Sequence, residues 1–428
     1  MLEIALVGWM LHRLTLGFVW IGDDYDSISR LLRDPWVVLS IILLVSIVAI
    51  SDFYRRFLRS IRQAPYLEAL AEIPDTLPTI SVIIPAYNEA VNIGACMKAV
   101  LANRLPDASS LQLIVADDES TDKTKALADS VAQEDERVTV MTVPPRPETL
   151  SWRGKNWACT CALEKATGEY LLFIDADVRV AEDAIARALS EAKKHKSDLL
   201  SCAPAIVCGC FSEWIVQPIM ANLIAIGFDF EAVNDAARPD VALAAGPFML
   251  FLREAYDKIG GHEAVAADPV EDLALAALIK EQDLSLRYVL GLDVSTVRMY
   301  RSFGDLWEGW TKNYYLGADR NALLTVVSAA AVFLIFVMPW LGFFVGIVAV
   351  LTKAVAGSLA VALLVLAAVA VSLQVTLRRI AANVIGLPVR YLWLGWLGGA
   401  VVSGIAIASM VKVETGWGWT WRGRSLAD

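Results

Sequence analysis

Tyr170-Leu171-Leu172-Phe173-Ile174-Asp175-Ala176-Asp177 is an apolar run that stops at two carboxylates one residue apart. Five apolar residues bounded by turn formers read as a strand covered on both faces. Upstream, residues 80–85 (ISVIIP) run into Ala86-Tyr87-Asn88-Glu89, and residues 111–116 (LQLIVA) run into Asp117-Asp118. Residues 138–143 add a fourth strand. Helical patterns at 88–101, 121–133, 155–166 and 181–195 alternate with these strands. Such alternation predicts a parallel sheet between helix layers. Ligands of open α/β sheets bind beyond the carboxyl ends of strands, where all three acidic groups fall. Turn chemistry accounts for any one of them. Three on one sheet edge repel unless a cation or ligand amides meet them. Asp175 and Asp177 suit Mg²⁺, which takes carboxylate oxygens and is often completed by phosphates. Lys155, in Trp152-Arg153-Gly154-Lys155-Asn156, offers a positive charge to the same phosphates.

Over 428 residues, 57% are hydrophobic and 20% charged, with mean hydropathy +0.52. That balance excludes a disordered chain, a collagen-like repeat and a fully water-soluble enzyme. The excess sits in two blocks. Residues 1–20 lack a cleavable-signal layout and are expected to span a membrane despite His12-Arg13. Residues 36–54 form a clearer span, with Trp36 and Tyr54 at its ends. Arg55, Arg56, Arg59 and Arg62 follow, which marks the cytosolic side. Residues 322–375 contain one charge, Lys353, and suffice for two spans, with a third at 391–411. Three spans would leave the C-terminus outside, whereas Lys412, Arg422 and Arg424 favour inside. Residues 211–230 and 302–318 read as interfacial helices. The expected division is membrane helices at 1–62, a cytosolic catalytic domain at 63–320, transmembrane helices at 321–411 and a tail at 412–428. A net charge of −10 argues against a nucleic-acid partner. The six cysteines form no C-x-x-C pair and read as reduced and structural. With three histidines in the chain, a general base is expected to be a carboxylate.

The set P-A-Y-N-E (85–89), D-D (117–118), R-G-K-N-x-A (153–158), D-A-D (175–177) and E-D (271–272) resembles the inverting glycosyltransferases of family 2. The likeness covers roughly residues 78–320. Residues 245–250 (AGPFML), 260–263 (GGHE), 307–313 (WEGWTKN) and 421–424 (WRGR) are similar to the membrane-bound branch that glycosylates lipid-like acceptors. That branch includes ceramide glucosyltransferase relatives and bacterial enzymes acting on diacylglycerol, carotenoids or hopanoids. The resemblance implies an α/β GT-A nucleotide-sugar-binding domain, with a mixed, mainly parallel sheet and transmembrane helices at both ends.

It also implies roles. Pro85, Tyr87 and Glu89 would line the base and ribose of a UDP-sugar. Asp117 would hold the uracil or ribose, with Asp118, Lys155 and Asp175 completing the donor site. Asp177, with Asp175, would bind Mg²⁺ or Mn²⁺. Asp272 would be the general base, with Glu271 beside it. Gly246, Trp310 and Lys312 would face the acceptor. The implied reaction moves a hexose, glucose from UDP-glucose foremost, to a lipid hydroxyl at the cytosolic face of the cell membrane. One departure stands out. Processive polysaccharide synthases and ceramide enzymes carry Q-x-x-R-W, and here residues 306–310 read LWEGW. This argues against the rival reading as a processive synthase and removes an arginine expected at the diphosphate. Lys312 is the nearest replacement in sequence. Intact carboxylates at every motif argue against the other rival, a non-catalytic nucleotide-binding membrane scaffold.

Overall fold

The computed structural model describes residues 33–147 and 151–426, so the apolar stretch 1–20 lies outside the described residues. One sheet holds eight strands: β1 (Ile80–Ala86), β2 (Leu111–Asp117), β3 (Val138–Thr142), β4 (Tyr170–Ile174), β5 (Val178–Val180), β6 (Leu199–Ile206), β7 (Phe248–Leu252) and β8 (Leu286–Val297). Their order is β3-β2-β1-β4-β7-β6-β8-β5. The β1–β2, β2–β3, β1–β4 and β6–β8 pairs are parallel. The pairs β4–β7, β6–β7 and β5–β8 are antiparallel, which makes the sheet mixed as expected.

Both faces of the sheet are covered. Ile80, Val82 and Ile84 of β1 pack with α2 (Ile93–Leu101) and α5 (Ala184–His195), which follow β1 and β5. Between them in sequence lie α3 (Thr124–Ala132) and α4 (Gly154–Leu163). Ile83, one residue out of phase, joins Phe173 on the opposite face, as the period of two requires. Helices α2 and α3 start later than residues 88 and 121. The loop residues have other partners: the Glu89 N–H donates to Thr124 Oγ1 (2.7 Å), and Asp122 accepts from the Thr124 N–H (2.8 Å).

The Ile83 face is covered by α4, whose Ala158, Cys159 and Ala162 join Ile83 and Ile114, and the same core continues into the apolar helices. Tyr54 and Phe57 come from α1 (Pro35–Gln63), and Val216 and Ile219 from α6 (Phe211–Gly227). C-terminal to them run α7 (Glu271–Glu281) and α8 (Phe303–Asn313). Then come α9 (Ala322–Thr352), α10 (Gly357–Ile385) and α11 (Gly395–Thr415). Phe336 of α9 and Val402 of α11 belong to the same core as Phe173. Fully burying one such side chain is worth about 1.5–3 kcal/mol. A handful of them joins the core of the sheet domain to that of the apolar helices.

Among the described residues, four helices are long and apolar enough to cross a membrane: α1, α9, α10 and the stretch Leu392–Thr415. The zone 322–375 divides into two helices as expected. Within α9, Phe333–Val337 widens into a π turn ahead of Pro339. Gln374 of α10 satisfies the freed carbonyls there, donating to Ile335 O (2.9 Å) and Phe336 O (3.2 Å).

Helix α11 falls on the stretch expected as the third span, 391–411. At its start, Tyr391 packs its ring on Phe211 and Trp214, at 5.3 and 5.7 Å between centroids. Gly398 lies so close to α6 that a Cβ would sit 2.1 Å from the Ile215 carbonyl oxygen. At its end, Lys412 donates to Thr311 of α8 (3.0 Å), and Val413 packs with Tyr315 and Trp419. Both ends therefore abut the sheet domain, and between them α11 packs on α6, α8 and α9, with Ser403 Oγ donating to Ala329 O (3.0 Å). The C-terminus accordingly returns to the side of the sheet, in line with Lys412, Arg422 and Arg424. A topology reporter fused after residue 428 should score with a reporter in the 104–110 loop. One in the 353–356 turn should score on the other side. Opposite scores for the first two would contradict this arrangement.

Candidate active site

Strand β1 pairs in parallel with β2 on one side and β4 on the other. The chain therefore leaves β1 in both directions, and the loops after β1 and β4 diverge into a crevice. A cavity of about 350 Å³ opens there. Asn88 adopts a left-handed conformation (φ 54°), which Asn tolerates better than most residues, and brings Glu89 back to the wall. Glu89 is steadied by Asn92, whose Nδ2 donates to Oε2 at 2.8 Å.

Pro85, Tyr87, Glu89, Asp118, Lys155, Asp175, Asp177, Gly246, Glu271, Asp272 and Lys312 all line this cavity. Two other expected residues do not. Asp117 is 2% exposed and lies under the strand end, its Oδ2 accepting only a long bond from the Ser120 N–H (3.4 Å). The Asp118 N–H still pairs with Ala86 O (2.8 Å), so the pleat turns the next carboxylate, Asp118, to the cavity. Trp310 is also off the wall. It is buried against Tyr300, and its Nε1 donates to Gln217 Oε1 of α6 (2.8 Å). It locks α8 to α6, and its ring is not available to stack on an acceptor.

Lys155, in the first turn of α4, joins the two halves of the site. Its ammonium lies 2.6 Å from Asp175 Oδ1 and 2.6 Å from Glu271 Oε1. Burial alone would push the ammonium down, but the two carboxylates outweigh it and hold it well above the usual amine range. Burial, then Asp175 and Glu89, push the Asp177 carboxyl up to about 7. Asp177 Oδ1 is buried without a hydrogen-bond partner. Such an atom suits a hard divalent cation. Among the described residues, no three His, Cys, Asp or Glu side chains group to hold a metal. A cation at Asp177 would therefore depend on ligand phosphates to complete its shell, a common Mg²⁺ habit.

On the opposite wall, Glu271 and Asp272 open α7. Burial opposes ionisation of Glu271, yet Lys155 and then Lys312 hold it well below the usual carboxylate range. Asp272 goes the other way: burial and then the Glu271 charge push it up to about 6. Its carboxylate accepts from the Gly246 N–H at Oδ2 and the Leu273 N–H at Oδ1, both at 2.9 Å. A Cβ on Gly246 would stand 3.0 Å from that Oδ2, so the close approach depends on glycine. Adjacent carboxylates with pKa values driven apart suit a fixed anion, Glu271, beside a base, Asp272. Lys312 faces this same side, with its ammonium 5.3 Å from the centroid of the Trp421 ring.

Sequence reasoning gave no role to three arginines. Arg146 donates to Asp118 Oδ2 (2.9 Å). Arg424 pairs with the same carboxylate, and its guanidinium lies 3.5 Å over the Tyr87 ring. Arg422 reaches Glu89 (2.5 Å) and the Tyr87 carbonyl (2.7 Å). The last two come from the tail, and the only signal was the W-R-G-R string itself.

Residues 81–260 match the family model described as Glycosyl transferase family 2. The 4,4'-diaponeurosporenoate glycosyltransferase of Staphylococcus aureus strain MRSA252 is 29% identical over 242 residues, 56% of this chain and 61% of the relative. Its counterpart in strain USA300 matches to the same extent. The chain thus spans about three fifths of the length of these curated relatives. Mannosyltransferase PcManGT from Pyrobaculum calidifontis, solved with GDP-Man and Mn²⁺, superposes with a TM-score of 0.51 at 20% identity. The match covers 88% of this chain and 99% of that one, and at such identity it speaks for the fold. Residues 81–260 are thus similar to glycosyl transferase family 2, and the sheet domain has the GT-A fold, with apolar helices before and after it.

Proposed function

We propose that this protein is an inverting glycosyltransferase that moves a hexose, glucose from UDP-glucose, to a lipid hydroxyl at the cytosolic face of the cell membrane. The observation that carries the reading is the arrangement around Lys155. It ties the carboxyl end of β4, with Asp175 and Asp177, to the start of α7, with Asp272. One cavity therefore offers a phosphate-and-cation side and a base side.

Asp272 takes the proton from the acceptor hydroxyl as that oxygen bonds to the anomeric carbon. The bond from that carbon to the diphosphate breaks in the same displacement, which inverts the sugar. A divalent cation at Asp177, Mg²⁺ or Mn²⁺, would take up the charge that develops on the diphosphate. Glu271 stays ionised and keeps Lys155 in place. The helices under the cavity support a lipid acceptor. Phe211 and Phe303 are exposed at the starts of α6 and α8, as befits a membrane surface. Lifting a lipid clear of the bilayer costs about 0.8 kcal/mol per CH₂ exposed, and a site seated on apolar helices removes that need. The staphylococcal relatives, named for 4,4'-diaponeurosporenoate, support a lipid-like acceptor.

Asp272→Asn should lower kcat by about 10²–10⁴-fold with little change in donor KM, read as UDP release and as glycolipid by mass spectrometry. Unchanged turnover would refute the base assignment. The reactive form of Asp272 is deprotonated, and its pKa lies near 6. The kcat of the wild type should therefore fall about tenfold per pH unit below that value and level off above it. A rate that rises on acidification contradicts this. Chelation should stop turnover, and Asp177→Ala should abolish the gain in UDP affinity that Mn²⁺ brings. An undiminished gain would place the cation elsewhere.

A further inference from the structure

The cavity wall includes a piece of chain from the far C-terminus. Strands β9 (Thr420–Trp421) and β10 (Arg424–Ser425) form a hairpin joined by Arg422-Gly423. Both turn residues are left-handed, with φ 48° and 80°. Such a turn favours Asn or Gly at its first position, because a long side chain there brings backbone strain. The side chain gives the reason for arginine. Arg422 enters the cavity, where one Nη bonds Glu89 and the other donates to the carbonyl of Tyr87, 335 residues away in sequence. The hairpin is held from below by Glu308 of α8. Its carboxylate accepts from Thr420 Oγ1 (2.6 Å) and from the Arg422 N–H (3.1 Å). Arg153 adds a bond to the Leu426 carbonyl (3.0 Å).

The other cations on the wall have fixed tasks. Lys155 is neutralised by Asp175 and Glu271, and Arg146 and Arg424 share Asp118. Lys312 acts on Glu271 and Asp272, on the base side. Arg422 pairs with Glu89 and lines the wall together with Asp177, the carboxylate with the unpartnered oxygen. A guanidinium has five N–H donors in a fork that matches two phosphate oxygens, and the contacts to Glu89 and Tyr87 leave donors over. We propose that Arg422 is the donor-binding residue that grips the diphosphate, in the role of the arginine missing from residues 306–310. The inference rests on the glycosyl-transfer reading above. Glu89 and the Tyr87 carbonyl orient the guanidinium, and Glu308 fixes the turn that delivers it.

Calorimetric titration of the full chain in nanodiscs with Mn²⁺ tests this, using UDP and GDP and the matching monophosphates. For whichever diphosphate the wild type binds, Arg422→Gln should weaken it about ten- to hundredfold. The monophosphate should change less than about threefold, and Arg422→Lys should recover part of the loss. Equal losses for di- and monophosphate would overturn the inference, since the arginine would then serve the base or ribose. Tighter binding by the variant would also overturn it, since the arginine would then be a plug. If Arg422→Gln fails to fold, the ratio of di- to monophosphate affinity in Arg422→Lys carries the same decision. Wild-type binding that neither variant alters overturns this inference alone. Failure of the wild type to bind any nucleoside diphosphate would overturn the glycosyl-transfer reading as well.

Discussion

The ion pairs of Lys155 with Asp175 and Glu271 hold the site together. They cross from the end of a central strand to the start of a helix about a hundred residues later in the chain. Without the ammonium, the half-buried Asp175 and the buried Glu271 would repel each other, which raises the pKa of one of them. With it, Glu271 remains ionised, and that charge raises its neighbour Asp272. One lysine thus sets the spacing of the two halves of the cavity and, through Glu271, the basicity of Asp272, the proposed base.

The shared core imposes a second constraint. Phe173 beneath the D-x-D turn packs in the same cluster as Tyr54 and Phe57 of α1 and Phe336 of α9. The sheet domain is not hung on a linker; one hydrophobic core runs from its inner face into the apolar helices. Helix α11 then runs across α6 and α8 and returns the chain to the strand ends, where the hairpin closes the wall over Tyr87 and Glu89. The expected boundaries at 63 and 321 mark changes of composition, while the packing runs through them.

Much of this was legible in the sequence because the physics is local. Residues 170–174 form β4 to the residue, since an apolar run stops where two aspartates begin. Glu271 and Asp272 open a helix, as a charge pair at a helix start should. What was not legible depended on distant partners. Helix α2 begins at Ile93 and not at residue 88, because the Glu89 N–H bonds Thr124 at the start of α3. The choice of Asp118 over Asp117 hangs on the last β1–β2 backbone bond, which composition does not register. Trp310 read as a ring for the acceptor, and only the presence of Gln217 on α6 turns it into a packing residue. Arg422 and Arg424 were visible as letters, yet nothing local says that a tail 335 residues on reaches Tyr87.

The account makes the site a single-displacement machine with one base, Asp272, facing one leaving group. The most direct measurement is the anomeric configuration of the product, by proton coupling constants on glycolipid made from UDP-α-glucose by the purified protein in lipid. The account predicts the β-glycoside. An α-glycoside would require a second nucleophile or a front-face reaction, and would contradict it.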